Sequence, residues 1–335
     1  MRCRWLGSTA SAIAFACLLL TPGLVAQSPA TKAGAARPSA ALRTPDGRPD
    51  LQGNWSYATI TPLERDRALG DKAVLTDEEA RAIEAQAAAR ANQDDGRQRG
   101  TAADVSRAYN DAWYDRGTRV VGTRQTSIII DPPDGRIPAM TPDGQARAAA
   151  RAAARRTRGA ADGPEDRSLA ERCLIGFNAG PPLAPSAYNN NIVIAQTRDY
   201  VTIMTEMVHE TRIVSLDGRP HLPAGITPWM GDSRGHWEGD TLVVETTNFS
   251  EKNLPRGASP ALKLIEKFSR TGPDVLTYEY TMNDPATWTR PWTGRIPLEK
   301  LNEEVYEYAC HEGNRGMEGI LKGARTDERG AANAR

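Results

Sequence analysis

Four histidines occur in the chain of 335 residues, in MVHETR (His209), GRPHLP (His221), RGHWEGD (His236) and ACHEGN (His311). Imidazole titrates near neutral pH and is the side chain best suited to moving a proton there. His209 follows the β-rich run YVTIMTEMV, His221 follows the turn Leu216-Asp217-Gly218-Arg219, and His311 follows EVYEYAC. All three are therefore expected at strand ends, and strand ends gather at the mouth of a barrel, where small-molecule sites form. Glu206, three residues before His209, and Asp232 in GDSRGHWEGD are candidate partners for acid and base work. Arg234 offers a fixed positive charge to an anionic group or a developing oxyanion. Taken singly, each of these also reads as a structural group; Asp232 and Arg234 could be a loop ion pair. Three imidazoles also suit a zinc site with an open position. A hydrolase holding zinc or another divalent metal on His209, His221 and His311 is thus the metal-dependent alternative to chemistry without a cofactor. Neither His209-Glu210 nor His311-Glu312 extends to the helical HExxH pattern.

Cys310 beside His311 suggests a thiol nucleophile with its base, but neighbours on a strand point to opposite faces. Counting favours another role. The first residues, with Arg2, Arg4, the apolar stretch AIAFACLLL and a small-residue end at Ala26, have the layout of a secretory signal peptide over residues 1–26. Its removal takes Cys3 and Cys17 and leaves Cys173 and Cys310, a pair expected to form a disulfide in a periplasmic or secreted protein. Removal also takes two basic and no acidic residues, leaving 40 basic against 42 acidic, which argues against a nucleic-acid partner. No later stretch reaches the roughly 18 apolar residues of a membrane span, and nothing in the composition specifies an oligomeric state.

Tyr188, Trp229 and Trp292 are candidate walls for an aromatic ligand or sugar ring. Asn190 and Asn191 in YNNNIV could grip hydroxyls or cap a loop. Glycine-rich phosphate loops, dinucleotide fingerprints and the GxSxG elbow are absent from the sequence.

The elements that must position these groups fall into two halves. Residues 27–50 read as a flexible linker ending in turns, and LQGNWS places a first strand within 51–60. Residues 61–175 read as a helical and loop insertion packed on a barrel. Within it, Thr76 and Glu79 form a capping box for a helix over 77–91, and QARAAARAAARRTR predicts another over 142–156. Arg147, Arg151 and Arg155 share one stripe of that second helix and are expected to be a solvated face. TSIIIDPP gives a short strand between the helices. From residue 190, eight β-rich runs from NIVIAQT to EVYEYAC, joined by turn signals such as Glu238-Gly239-Asp240 and Gly272-Pro273-Asp274, predict an antiparallel barrel or sandwich over 176–322. Residues 323–335 are expected to be a disordered tail. The fold class is mainly β with a helical insertion.

The chain resembles a family of exported bacterial proteins through TPDGRPDLQGNW, DPPDGRIPAMTPDGQ, GPEDRSLAERC, DGRPHLP, GDSRGHWEGDTLVVETTNF, TWTRPWT and YEYACHEGN. That resemblance implies export and a common fold, and transfers no catalytic residue. Gly53-x-Trp55 also resembles the first-strand signature of lipocalin-like (calycin) barrels. The leading expectation is an exported enzyme of lyase or isomerase type, acting by histidine acid–base chemistry on an aromatic or polyhydroxylated plant-derived molecule. The alternatives are a ligand carrier of the same architecture and the metal-dependent hydrolase.

Overall fold

The computed structural model describes residues 42–91 and 117–333. The expected signal peptide and the linker up to residue 41 lie outside the described residues. Ten strands form one sheet: β1 (Gly53–Ser56), β2 (Ile129–Asp131), β3 (Asn191–Gln196), β4 (Tyr200–Thr205), β5 (Thr211–Ser215), β6 (Asp232–Glu238), β7 (Thr241–Thr247), β8 (Lys263–Gly272), β9 (Val275–Asn283) and β10 (Trp292–Lys300). Their order is β1-β3-β4-β5-β6-β7-β8-β9-β10, and β10 pairs back onto β1, so nine strands close a barrel with β2 flanking β10. Every pairing is antiparallel except β5 with β6, which run parallel and share one register pair, Ser215 opposite Arg234.

Local chemistry explains the ladder. Gly239, at φ 58°, supplies the positive φ of the short β6–β7 turn, a conformation that glycine adopts without strain. Alternation along β9 sends Leu276, Tyr278, Tyr280 and Met282 inward, and they meet Leu264 and Phe268 of β8 and Trp292, Ile296 and Leu298 of β10. Each of the Leu, Ile, Phe and Met side chains among them, removed from water, contributes roughly 1.5–3 kcal/mol. Gly294 makes the aromatic layer possible, because a Cβ there would lie 2.4 Å from the Tyr280 ring. At the far end Trp55 is fully buried, donates from Nε1 to the Leu51 carbonyl at 3.0 Å, and is covered by the Arg270 guanidinium 5.4 Å from its ring centre. The barrel is thus filled by side chains.

One polar group set lies within that filling. Arg212 and Glu266 form a two-pronged ion pair, with Nη1–Oε2 at 2.6 Å and Nη2–Oε1 at 3.0 Å, and Glu266 is 0% exposed. Tyr278 donates its hydroxyl to Glu266 at 2.8 Å and accepts the Leu183 backbone N–H at 3.1 Å. Burial and the neighbouring carboxylate push the Tyr278 phenol well above its ordinary range.

Among the described residues the α-helices are α1 (Asp77–Ala91), α2 (Pro142–Arg156) and α3 (Arg315–Asn333). The capping box opens α1: the Glu79 carboxylate accepts the Thr76 N–H at 2.8 Å, and Thr76 Oγ1 accepts the Glu79 N–H at 3.2 Å. Among the described residues no helix is long and apolar enough to cross a membrane.

Four expectations are corrected. The arginine stripe of α2 is a solvated face only at Arg155, which is exposed. Arg147 donates to the Ala286 carbonyl and to Thr287 Oγ1, and Arg151 donates to the carbonyls of Gly257 and Ala258, so these two dock the helix on the barrel. Residues 304–310 form no strand; the strand before them, β10, already has β9 on one side and β1 with β2 on the other. Most of the expected disordered tail is helix α3, whose Met317, Ile320, Leu321 and Ala324 share one face and whose Arg325 donates to the carbonyls of Ala161 and Asp162. Within the expected linker, residues 42–50 form a turn closed by the Arg43–Pro49 bridge and held by the Arg43–Asp240 ion pair at 2.9 Å.

Candidate functional site

The strand ends near Asn191, Thr205, Thr247 and Lys263 lie at one mouth of the barrel, and three irregular segments gather there. The first runs from Ser168 to Tyr188, the second covers Asn253 to Arg256 between β7 and β8, and the third is the chain around Tyr308. Between them is a cleft of 710 Å³. Its sequence is rich in glycine and proline (GFNAGPPLAP), and such loops carry recognition groups on a rigid scaffold.

Interior polar bonds hold these loops. Asn178 donates from Nδ2 to the carbonyls of Tyr188 and Asn189 at 3.0 Å each. Asn190, fully buried, accepts the Ser186 N–H at 2.8 Å and returns a bond to the Ser186 carbonyl at 2.9 Å. Asn191 donates to the buried Glu206 carboxylate at 2.8 Å. The asparagine run therefore fastens the cleft wall. The expected disulfide between Cys173 and Cys310 is present and joins the Ser168–Ile175 wall to the chain that carries Tyr308. His209 contributes a second fastening, since its Nε2 accepts the Tyr308 backbone N–H at 2.8 Å.

The cleft's surface is mixed: Ser168, Asn253 and the Glu171 carboxylate, which accepts from the Ser168 N–H and hydroxyl, line it beside apolar and aromatic side chains. Phe177 is 47% exposed and meets Tyr188 edge to face, with ring centres 5.3 Å apart and planes at 87°. Leu169, Ile175, Pro181, Met207, Leu254 and Pro255 complete the wall. Arg256 stands at its rim with φ 53°, a backbone region costly for a residue with a side chain. No carboxylate among the described residues pairs with it.

The three histidines lie toward this end of the barrel, but no hydrogen bond joins any two of them. His209 is half-buried behind Tyr308. His311 is exposed in the turn after Cys310. His221 sits against the outer wall: Nδ1 is 2.8 Å from Asp232 Oδ2, and Nε2 is 3.4 Å from Glu245 Oε1. Arg234 pairs with the other Asp232 oxygen at 2.6 Å, and Lys263 pairs with Glu245 at 3.0 Å. Among the described residues no group of three or more His, Cys, Asp or Glu side chains could hold a metal ion. Trp292 is wholly buried in the aromatic layer, 5.7 Å from Trp288 and 5.9 Å from Tyr280 between ring centres, and does not line the cleft. Trp229 lines a smaller cleft beside β5 and β6. Of the sequence candidates, Tyr188 alone is in the mouth cleft's surface. Phe177, Arg256 and Tyr308 were missed, because their neighbours in space come from segments remote in sequence.

No protein-family model matches the chain. No curated protein matches it either. Among solved structures, a mutant of the fluorescent protein UnaG is similar at 13% identity over 40% of this chain and 86% of that one, with a TM-score of 0.24. Nothing about ligand or chemistry is carried over from it.

Proposed function

We propose that the protein binds a planar, aromatic small molecule bearing a carboxylate in the mouth cleft. The observation that carries this reading is Arg256, without a paired carboxylate among the described residues, at a 710 Å³ cleft that also presents Phe177 and Tyr188. An apolar cavity with a few convergent polar groups is the usual form of a small-molecule site. Phe177, 47% exposed, supplies aromatic surface on which a ring can stack, and a guanidinium matches a carboxylate through two parallel hydrogen bonds. Export to an oxidising compartment is part of the reading, and the Cys173–Cys310 bridge supports it.

A second reading, acid–base turnover, is favoured by the His221–Asp232 contact, in which a carboxylate orients one ring nitrogen and leaves the other facing Glu245. Incubation of the mature protein with plant-derived aromatic acids, aromatic dimers and glycosides separates the two. Under the binding reading, native mass spectrometry finds intact acids retained, and retention is lost in Arg256→Ala and Phe177→Ala. Product formation abolished by His221→Ala replaces binding with turnover. Retention unchanged in both cleft variants overturns the mouth site.

A further inference from the structure

The parallel step in the barrel leaves a second opening. β5 and β6 meet at Ser215 and Arg234, and toward the mouth they part, so that residues 210–213 and 228–233 enclose a cleft of 290 Å³. Three charged side chains line it: Glu210, Arg212 and Asp232. Arg212, facing it from β5, is neutralised by its two bonds to Glu266. Asp232, facing it from β6, is held by Arg234 at 2.6 Å and by His221 at 2.8 Å. Glu210 has no hydrogen bond or ion pair from its carboxylate among the described residues. The uncompensated charge of this cleft is therefore one carboxylate. Trp229, 36% exposed, lines the same space.

A half-buried carboxylate beside an indole is the chemistry that recognises an organic cation: the ammonium donates charge-assisted hydrogen bonds to one and is attracted by the ring face of the other. We propose that the β5–β6 seam is a binding site for a small organic ammonium ion, with Glu210 as counter-ion and Trp229 as aromatic wall. The site has a lining of its own but shares a wall with the mouth cleft, since Met230 packs with Ile175 and Asn253 donates to the Trp229 carbonyl at 2.8 Å, and its ligand has the opposite charge. Burial pushes the Glu210 carboxyl above its ordinary range, as an unmatched carboxylate requires, and a bound ammonium opposes that shift.

The test is a titration of the isotope-labelled mature protein with benzylamine, followed by NMR, with benzyl alcohol and benzoate as controls. Benzylamine is expected to shift the amides of residues 210–213 and 228–233 and to bind at least about tenfold tighter than benzyl alcohol. Glu210→Gln, isosteric and uncharged, weakens it by about tenfold, Trp229→Leu weakens it severalfold with the carboxylate retained, and Arg256→Ala leaves it unchanged. Intact near-ultraviolet circular dichroism in each variant establishes that the fold is kept. Equal affinity for benzylamine and benzyl alcohol, unchanged affinity in both seam variants, shifts confined to the mouth cleft, or no shifts at millimolar ligand each overturn the proposal.

Discussion

The barrel's interior and its mouth are built on opposite rules. Inside, the cation Arg212 is matched by Glu266, and that carboxylate also receives a hydroxyl from Tyr278. At the mouth, Arg256 has an aromatic surface beside it and no counter-ion among the described residues. A buried charge must be satisfied within the fold, whereas a charge at a cleft can remain for a ligand. Under the proposed reading, recognition lies outside the barrel, in loops that the filled core holds in place. It also assigns the disulfide to the mouth, where it joins two loops that lack ladder bonds.

The comparison can be broken first at that bridge. Loss of Cys173–Cys310, by Cys173→Ala with Cys310→Ala, opens a loop spanning a sequence separation of 137 and is expected to lower unfolding free energy by about 5 kcal/mol on a chain-entropy argument. Urea unfolding measures this, and ligand affinity falls with it because Tyr308 loses one of its two fastenings. Inside the barrel, Arg212→Met leaves Glu266 buried without its cation and is expected to cost about 3–5 kcal/mol. The double variant Arg212→Met with Glu266→Leu recovers much of that loss, as a urea double-mutant cycle would record. At the mouth, Arg256→Ala is expected to leave stability nearly unchanged and to weaken binding of an aromatic carboxylate by about tenfold, read by calorimetry. The smallest effect is at the seam. The raised Glu210 carboxyl means that ionisation burdens the folded state, so stability is fully present below the ordinary carboxylate range and is lost as pH rises through the raised value. Glu210→Gln is therefore expected to be more stable than wild type near neutral pH, by less than about 1 kcal/mol because the group is half-exposed, and to lose the advantage in acid. Thermal midpoints across pH check the sign.

The barrel was legible in the sequence because strand alternation and turn residues are local. VLTYEYTM shows its inward side chains at alternate positions, and Glu238-Gly239-Asp240 marks its own hairpin. The helix over 77–91 could likewise be read from Thr76 and Glu79. EVYEYAC has the same alternation and yet is no strand; the preceding strand, β10, is already paired on both sides, by β9 and by β1 with β2, which is a property of the whole sheet. The α2 arginines look like a surface stripe until the carbonyls of Gly257, Ala258 and Ala286 are set beside them. The site was the least legible part. Histidines draw attention by chemical type, but His209 serves as an acceptor for a backbone N–H and His221 is held on the outer wall. The mouth cleft depends on Phe177, Arg256 and Tyr308, which no motif connects. Their meeting is fixed by the loops between β7 and β8, before β3 and after β10, and by the one bridge that could be counted from the cysteines.

The most direct measurement is an NMR titration of the mature protein with an aromatic carboxylate, 4-hydroxybenzoate, following assigned side-chain and amide signals. Ligand binding at the mouth predicts saturable shifts at Phe177, Tyr188, Arg256 and Tyr308, with Tyr278, Tyr280 and Phe268 unmoved in the filled core. Shifts that centre on the core aromatics, or a titration that leaves Arg256 and Phe177 unchanged, would contradict it.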